Sequence, residues 1–234
     1  MLVLAIETST PQTTVSIGTE QGVMGSVLLS WGRGHSEIIT PAIARLLEWT
    51  ELRLPQVGGV AVGLGPGLFT GLRIGVSTAR ALGQVLRVPV VGISSLDVLA
   101  FSVRHSRWRI GAVMDAKRGE VFYAFYRPMP GGVARETEVA VGPPQRLAAE
   151  LEASGEEHLL VGGGAFLYRR IFHEVGTPLE FGSFSGVFPH AEALLELAVP
   201  RFHREEYSRP EAIVPHYVRK SDAKIDWART GRVA

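Results

Sequence analysis

The chain has no cysteine among its 234 residues, which excludes disulfides, thiolate metal sites and a cysteine nucleophile together. It also lacks an excess of either charge. Lys and Arg total 24 against 23 Asp and Glu, for a formal net charge of +1. The strong basic bias of an autonomous nucleic-acid binder is absent, so any contact with nucleic acid is expected to be shared with other subunits. No uninterrupted apolar segment reaches membrane-spanning length. The opening Met1 to Ile6 carries no basic leader and is stopped by Glu7, against the pattern of a signal peptide. These absences lead to the expectation of a soluble, cytoplasmic protein with no membrane partner. Lysine is scarce, 3 against 21 arginines, and we attach no function to that bias.

What is present is an ordinary globular composition, long enough to bury a substantial core. Leu2 to Glu7, Thr13 to Gly18 and Val23 to Ser30 read as a meander of three strands with turn residues between them. From His35 the apolar period changes, and Ile38, Ile39, Ala42, Ile43, Leu46 and Leu47 follow the spacing of an amphipathic helix. A strand at Val60 to Leu64, a helix to about Leu86, a strand at Val88 to Ile93 and a helix from Ser94 or Ser95 follow. The order then begins again: a hairpin of Arg109 to Asp115 and Glu120 to Tyr126, a strand at Val133 to Val141, a helix at Pro144 to Ala153, a strand at His158 to Val161, and helices at about 166–174 and 189–204 before an extended tail. Two copies of one topology predict a duplicated α/β fold of the actin and Hsp70 class, with a first lobe over 1–104 and a second over 105–234.

The densest signal is the run from Val60 to Gly75. An apolar strand ends in Gly65-Pro66-Gly67, which forces a sharp turn, and Thr70 reads as the N-cap of a helix beginning at Gly71. No lysine stands where a P-loop requires one, and Leu68 breaks the dinucleotide fingerprint. Along the helix Gly71, Gly75, Ala79 and Gly83 recur every four residues. Glycine in a helix interior costs about 1 kcal/mol against alanine, so the stripe needs a compensating close approach, either to the protein's own sheet or to a second polypeptide.

Four segments, Ala5-Ile6-Glu7-Thr8-Ser9, Gly65 to Gly75, Asp115 to Val121 and Pro215-His216-Tyr217-Val218-Arg219, together resemble the TsaB (YeaZ) family, in that family's order and over nearly the whole chain. The resemblance implies a subunit, not catalytic alone, that supports a TsaD-type catalytic relative in making threonylcarbamoyladenosine beside the anticodon of tRNAs. A TsaE-type ATPase is the implied third member, tRNA an indirect partner, and a homodimer an arrangement for the isolated chain. The docking surface is expected to comprise His35, Ile38, Ile39, Ala42, Ile43 and Leu46 on the first helix, with Thr70, Gly71, Arg73, Ile74, Gly75, Thr78, Ala79 and Leu82 on the second. A bulky residue at Gly75 is expected to break association while sparing the fold. Two positions depart from the family pattern: Leu68 stands where serine is common, and Glu7 where aspartate is.

A degenerate nucleotide site is expected around Glu7, Thr8, Ser9, Gly65, Gly67 and Phe69, with Asp115 and Glu120 from the second-lobe hairpin. Thr8-Ser9-Thr10-Pro11 offers no glycine for close backbone approach to a phosphate. No cofactor is expected for this chain alone, with ATP or ADP at the subunit contact left open. Catalytic and metal residues are expected to be absent: His35 has Ile39 where a second imidazole would share its helix face, and neither a Gly-x-Ser-x-Gly elbow nor His-Glu-x-x-His occurs. Gly162-Gly163-Gly164 opens a helix and is a weak phosphate candidate. The tail holds Arg219, Lys220, Lys224, Arg229 and Arg232 with Trp227, which reads either as a solvated terminus or as a tRNA contact. The rival function is an independent sugar-kinase-like enzyme that uses ATP in the cleft, with Asp115 as base.

Overall fold

A computed structural model describes residues 1–30 and 34–218. Strands β1 (Val3–Glu7), β2 (Thr13–Thr19) and β3 (Gly22–Leu29) form the expected antiparallel meander. Next come α1 (His35–Trp49), β4 (Gly59–Gly63), α2 (Phe69–Leu86), β5 (Val90–Ile93) and α3 (Ser95–Ser102). The second set is β6 (Arg109–Lys117), β7 (Glu120–Met129), β8 (Gly132–Arg135), β9 (Ala140–Gly142), α4 (Pro144–Ser154), β10 (His158–Val161), α5 (Gly163–Leu167), α6 (Arg169–Phe172) and β11 (Leu179–Phe181), closed by α7 (Ala191–His203).

The two sheets repeat one order. The first runs β3-β2-β1-β4-β5 and the second β8-β7-β6-β10-β11, with β9 added against β7. In each, an antiparallel hairpin joins strands added in parallel on its other side. The single strand expected over 133–141 is two short ones, both paired with β7. The helix expected over 166–174 is replaced by α5 and α6, which meet at Tyr168.

β1 and β4 are buried on both faces, as apolar runs in a covered sheet must be. On one face α1 and α2 pack Ile39, Leu46, Val76 and Ala79 against Leu4, Ile6, Val60 and Val62. On the other, Leu194, Ala198 and Phe202 of α7 meet Val3, Ala5 and Ala61. α3 lays Leu96 and Leu99 on the second sheet, whose far face is covered by Leu147, Leu151 and Phe172.

Strands β1 to β5 precede residue 105 and β6 to β11 follow it, but α7 returns from the second half of the chain to the first sheet. The segment after it stays there: Ser208 bridges Val90, Ile213 enters the first core, and the His216 N–H donates to the Leu64 carbonyl at 2.8 Å. Among the described residues no helix is long and apolar enough to cross a membrane.

Candidate functional site

β1 delivers Glu7 to the carboxyl end of the first sheet, where actin-like folds place their first cleft loop, and the loop here is closed on itself. The Glu7 side chain is buried. Its Oε1 accepts the Ser9 N–H at 2.6 Å and its Oε2 the Ser95 hydroxyl at 2.8 Å. Burial pushes the Glu7 carboxyl above its ordinary pKa, against the lowering by hydrogen bonds from Ser9 and Ser95. The neighbouring strand makes room with Gly63, since a Cβ there would overlap the Glu7 carboxylate.

The glycine turn serves the same closure. The Leu68 N–H donates to the Ser9 carbonyl at 2.7 Å, and Gly67 leaves the space that this carbonyl enters. Gly65 lies at φ +92, a left-handed conformation that favours glycine, and its carbonyl accepts the Ser95 N–H at 2.8 Å. The structure therefore brings Glu7, Thr8, Ser9, Gly65 and Gly67 together in one closed loop. Phe69 belongs elsewhere: it opens α2 and faces outward.

The glycine stripe is a correction. Thr8 crosses it, with its hydroxyl donating to the Gly71 carbonyl at 2.8 Å. A Cβ on Gly71 would overlap the Thr8 carbonyl, and one on Gly75 the Thr8 hydroxyl. Gly83 faces Val90 and Pro210 in the same way. Of the two close approaches open from the sequence, the stripe makes the one to its own chain, so a bulkier residue at Gly75 strikes Thr8 first.

The expected docking set changes accordingly. Ile38, Ile39, Ala42, Ile43, Leu46, Gly71, Gly75 and Ala79 are buried, because the apolar face of each helix is already spent on the sheet. Ile74 and Leu82 are partly buried against that core, and the Thr78 hydroxyl donates to the Ile74 carbonyl within the helix. Thr70 and Arg73 remain on the surface, and the faces turned outward carry Thr40, Pro41 and Ala44 on α1 with Ser77 and Ala81 on α2. Thr70 is not the N-cap either. The helix begins at Phe69 after Leu68, with no side-chain cap, since the loop holds Leu68 through Ser9.

His35 starts α1 and is half-buried. Its Nδ1 lies 2.6 Å from the Thr13 hydroxyl. Burial lowers its pKa, partly offset by a backbone hydrogen bond with Thr10. Among the described residues no three His, Asp or Glu side chains converge as metal ligands would.

Across the cleft, the β6–β7 hairpin holds Asp115. Its Oδ1 accepts the Lys117 N–H and its Oδ2 lies against the Lys117 ammonium, both at 2.7 Å. Lys117, Arg118 and Gly119 take left-handed φ of 62, 57 and 77, which curls Lys117 back onto Asp115. The cavity between the lobes is about 240 Å³ and has an apolar wall of Leu68, Met114, Leu167 and Phe188, with Ser9, Asp115 and Lys117 at its polar positions. Glu120 lies across the ladder from Lys117 and does not line this cavity. Gly162 is required by packing: a Cβ would overlap the Val113 carbonyl. The basic tail from Arg219 lies outside the described residues.

Sequence reasoning missed the partners that close the site: Gly63, Thr13, Ser95, and Tyr217, which packs on Phe69 and Arg73. Gly63 and Gly65 flanking Leu64 in an otherwise apolar run, and Tyr217 within the late Pro215 to Arg219 segment, were the available signals.

Two sheets of identical order, with a cleft between hairpin turns, define a protein of the actin-like ATPase fold class. The inorganic polyphosphate/ATP-glucomannokinase of Arthrobacter shares the fold, with a TM-score of 0.53 at 13% identity over 85% of this chain and 99% of that one. YeaZ from Pseudomonas aeruginosa superposes with a TM-score of 0.81 at 30% identity, covering 93% and 99% of the two chains. A family model described as TsaD, tRNA N6-adenosine threonylcarbamoyltransferase, matches residues 29–227. The Escherichia coli tRNA threonylcarbamoyladenosine biosynthesis protein TsaB is 30% identical over 95% of this chain and 96% of its own length. The Bacillus subtilis protein of that name is 29% identical over 97% and 98%. The chain belongs to this family, in its TsaB branch.

Proposed function

We propose that the chain is a partner subunit of a TsaD-type transferase in forming threonylcarbamoyladenosine in tRNA, in the cytoplasm, and carries out no reaction by itself. The observation that carries this reading is the closure of the first cleft loop. The Glu7 carboxylate, the Ser9 carbonyl and the Leu68 N–H are spent on one another and on Ser95. These groups of the loop are therefore not offered to a phosphate. The kinase reading is weaker on two counts. Drug-sized ligands occupy clefts of about 300–1,000 Å³, above the 240 Å³ here. Asp115, its candidate base, is held by Lys117. The names of the relatives favour the subunit reading.

The partner docks on the outer faces of α1 and α2, where Ala44 and Ala81 allow close approach. A TsaE-type ATPase and tRNA join through the complex, and nucleotide, where bound, sits at the subunit contact. The test is reconstitution with the cognate TsaD-type subunit, reading modified adenosine in tRNA by mass spectrometry. Modification is expected only with both subunits present, and Ala44→Glu or Ala81→Glu is expected to abolish co-purification while circular dichroism stays unchanged. ATP turnover or sugar phosphorylation by the chain alone would refute the reading.

A further inference from the structure

α2 carries Arg73, Arg80 and, at its C-cap, Arg87, with no acidic residue in its first turn or anywhere along its length. The spacing of seven keeps the three on one side of the helix. Among the described residues none of them forms an ion pair. Glu211 is the acid that feels this row: its carboxyl is held below the usual range by a hydrogen bond to its own backbone, by Gln84, and by Arg209 and Arg80.

Arg73 is the most specifically held. It lies near the positive end of the helix macrodipole, where a cation is disfavoured. Its guanidinium stands 3.9 Å from the centroid of the Phe69 ring, and its Nε donates to the Tyr217 hydroxyl at 3.2 Å. The two rings are 5.3 Å apart and remain 42% and 46% exposed. Tyr217 is fixed in turn by the returning C-terminal segment, through Ile213 in the core and His216 on Leu64. The arrangement leaves both terminal nitrogens of Arg73 without a hydrogen-bond partner among the described residues, in a fork already oriented for a carboxylate.

We propose that Arg73, held over the Phe69 ring and by the Tyr217 hydroxyl, anchors the docked subunit by receiving one of its carboxylates, and that the basic row of α2 selects an acidic-faced partner over a second copy of this chain. The inference rests on the subunit reading above. A second copy placed on the same face brings the same three arginines and no acid from its α2, and of the exposed acids on its α1, Glu37 and Glu48, the latter is paired with Arg45, so apposed α2 rows oppose self-pairing. A protein partner fits better than a phosphodiester chain because the exposed face beside the arginines carries small side chains and, further round the helix, an apolar one. Ser77 and Ala81 face outward there, and Val85 is 78% exposed, a surface that a packed helix covers and a nucleic-acid backbone leaves in water.

The experiment is titration calorimetry of the full chain against the cognate TsaD-type subunit at low and high salt. Arg73→Glu places an acid where the dipole favours one, so the variant is expected to fold and is checked by thermal melting. It is expected to lose about 100-fold in affinity, Arg73→Lys about 10-fold, and Tyr217→Phe about 3-fold. The wild-type affinity is expected to fall with salt, and a charge-reversed carboxylate on the partner to restore Arg73→Glu. Binding of Arg73→Glu within 2-fold of wild type, in a preparation where Ala81→Glu abolishes binding, would overturn the anchor while leaving the docking face intact. Failure of the wild-type chain to bind at all would instead remove the subunit reading. If Arg73→Glu binds the subunit normally but loses tRNA or ATP binding, the residue is a phosphate contact and the proposal falls.

Discussion

Replacing Gly71 by alanine sets two effects of opposite sign against each other. Alanine in place of glycine inside a helix contributes about 1 kcal/mol of stability through propensity. Against it, the new Cβ overlaps the Thr8 carbonyl and comes within 3.0 Å of His35 Nε2. Overpacking of this kind costs about 1–3 kcal/mol, and displacing Thr8 endangers its hydrogen bond to the Gly71 carbonyl, about another 1 kcal/mol. The net expectation is a loss of about 1–3 kcal/mol. At roughly 2–4 °C per kcal/mol for a chain of this size, the melting temperature falls by several degrees.

Gly75→Ala meets a different obstacle, the Thr8 hydroxyl, and the next atom is the Thr8 Cβ at 3.5 Å, an ordinary contact. Thr8→Ala therefore removes the obstacle at Gly75 but not the backbone carbonyl opposing Gly71. In a double-mutant cycle read by urea unfolding, Thr8→Ala is expected to rescue Gly75→Ala with a coupling of about 1–3 kcal/mol and to leave Gly71→Ala unrescued. Ser77→Ala, on the exposed face, serves as the control and is expected to stabilise by a few tenths of a kcal/mol. A rise in melting temperature for Gly71→Ala, or equal rescue at both glycines, would refute the assignment of the stripe to Thr8.

Glu7 has a folded pKa above its ordinary 4.5, so the native state holds its proton more tightly than the unfolded chain and its contribution to stability is lost as pH rises from that value through the folded pKa. Glu7→Gln removes this term, and the melting temperature of the variant relative to wild type is expected to rise from pH 4.5 to pH 8; a flat difference would show that the carboxyl is not protonated on folding. His35 has the opposite sign. Its folded pKa is below 6.5, so its stabilisation is present above 6.5 and lost as pH falls through the folded value. Titration of the imidazole carbon-bound protons by NMR is expected to place its midpoint below 6.5, and a midpoint above 6.5 would contradict the burial of this ring.

The fold was legible because periodicity reports it directly. The β1–β3 meander, the α1 spacing from Ile38 to Leu46 and the β6–β7 hairpin each appear as alternation or as a 3–4 repeat, and the repeated order then follows. Position within the fold was less legible. Ile38, Ile39, Ala42 and Ile43 look the same in sequence whether they face a sheet or a second molecule, and the sheet claims them because both its faces must be covered. The glycine stripe signals a close approach but does not name the approaching atom, which lies in Thr8, more than sixty positions away in sequence. The return of α7 to the first lobe and the seat of Tyr217 on Phe69 depend on long-range packing that no local pattern encodes.

Glu7 and Asp115 end the first strands of the two repeated sheets, β1 at its last residue and β6 near its end, so the duplication provides its own comparison. One carboxyl is buried, bonded by Ser9 and Ser95 and raised in pKa. The other stays at the cleft mouth and is neutralised by Lys117. Neither faces the cavity as an unpaired charge, and a cleft that is to hold a metal-bound phosphate needs carboxylates available to the metal. The outer face of the first lobe's helices shows the reverse: on α2, arginines stand without ion-paired carboxylates among the described residues, and Trp49 at the end of α1 and Val85 are 70% and 78% exposed. Exposed apolar side chains beside arginines free of ion pairs match the composition of protein-binding surfaces. That contrast supports the proposed docking face on the outside of α1 and α2, and it is why the Arg73→Glu titration bears more directly on the proposed function than any substitution in the cleft.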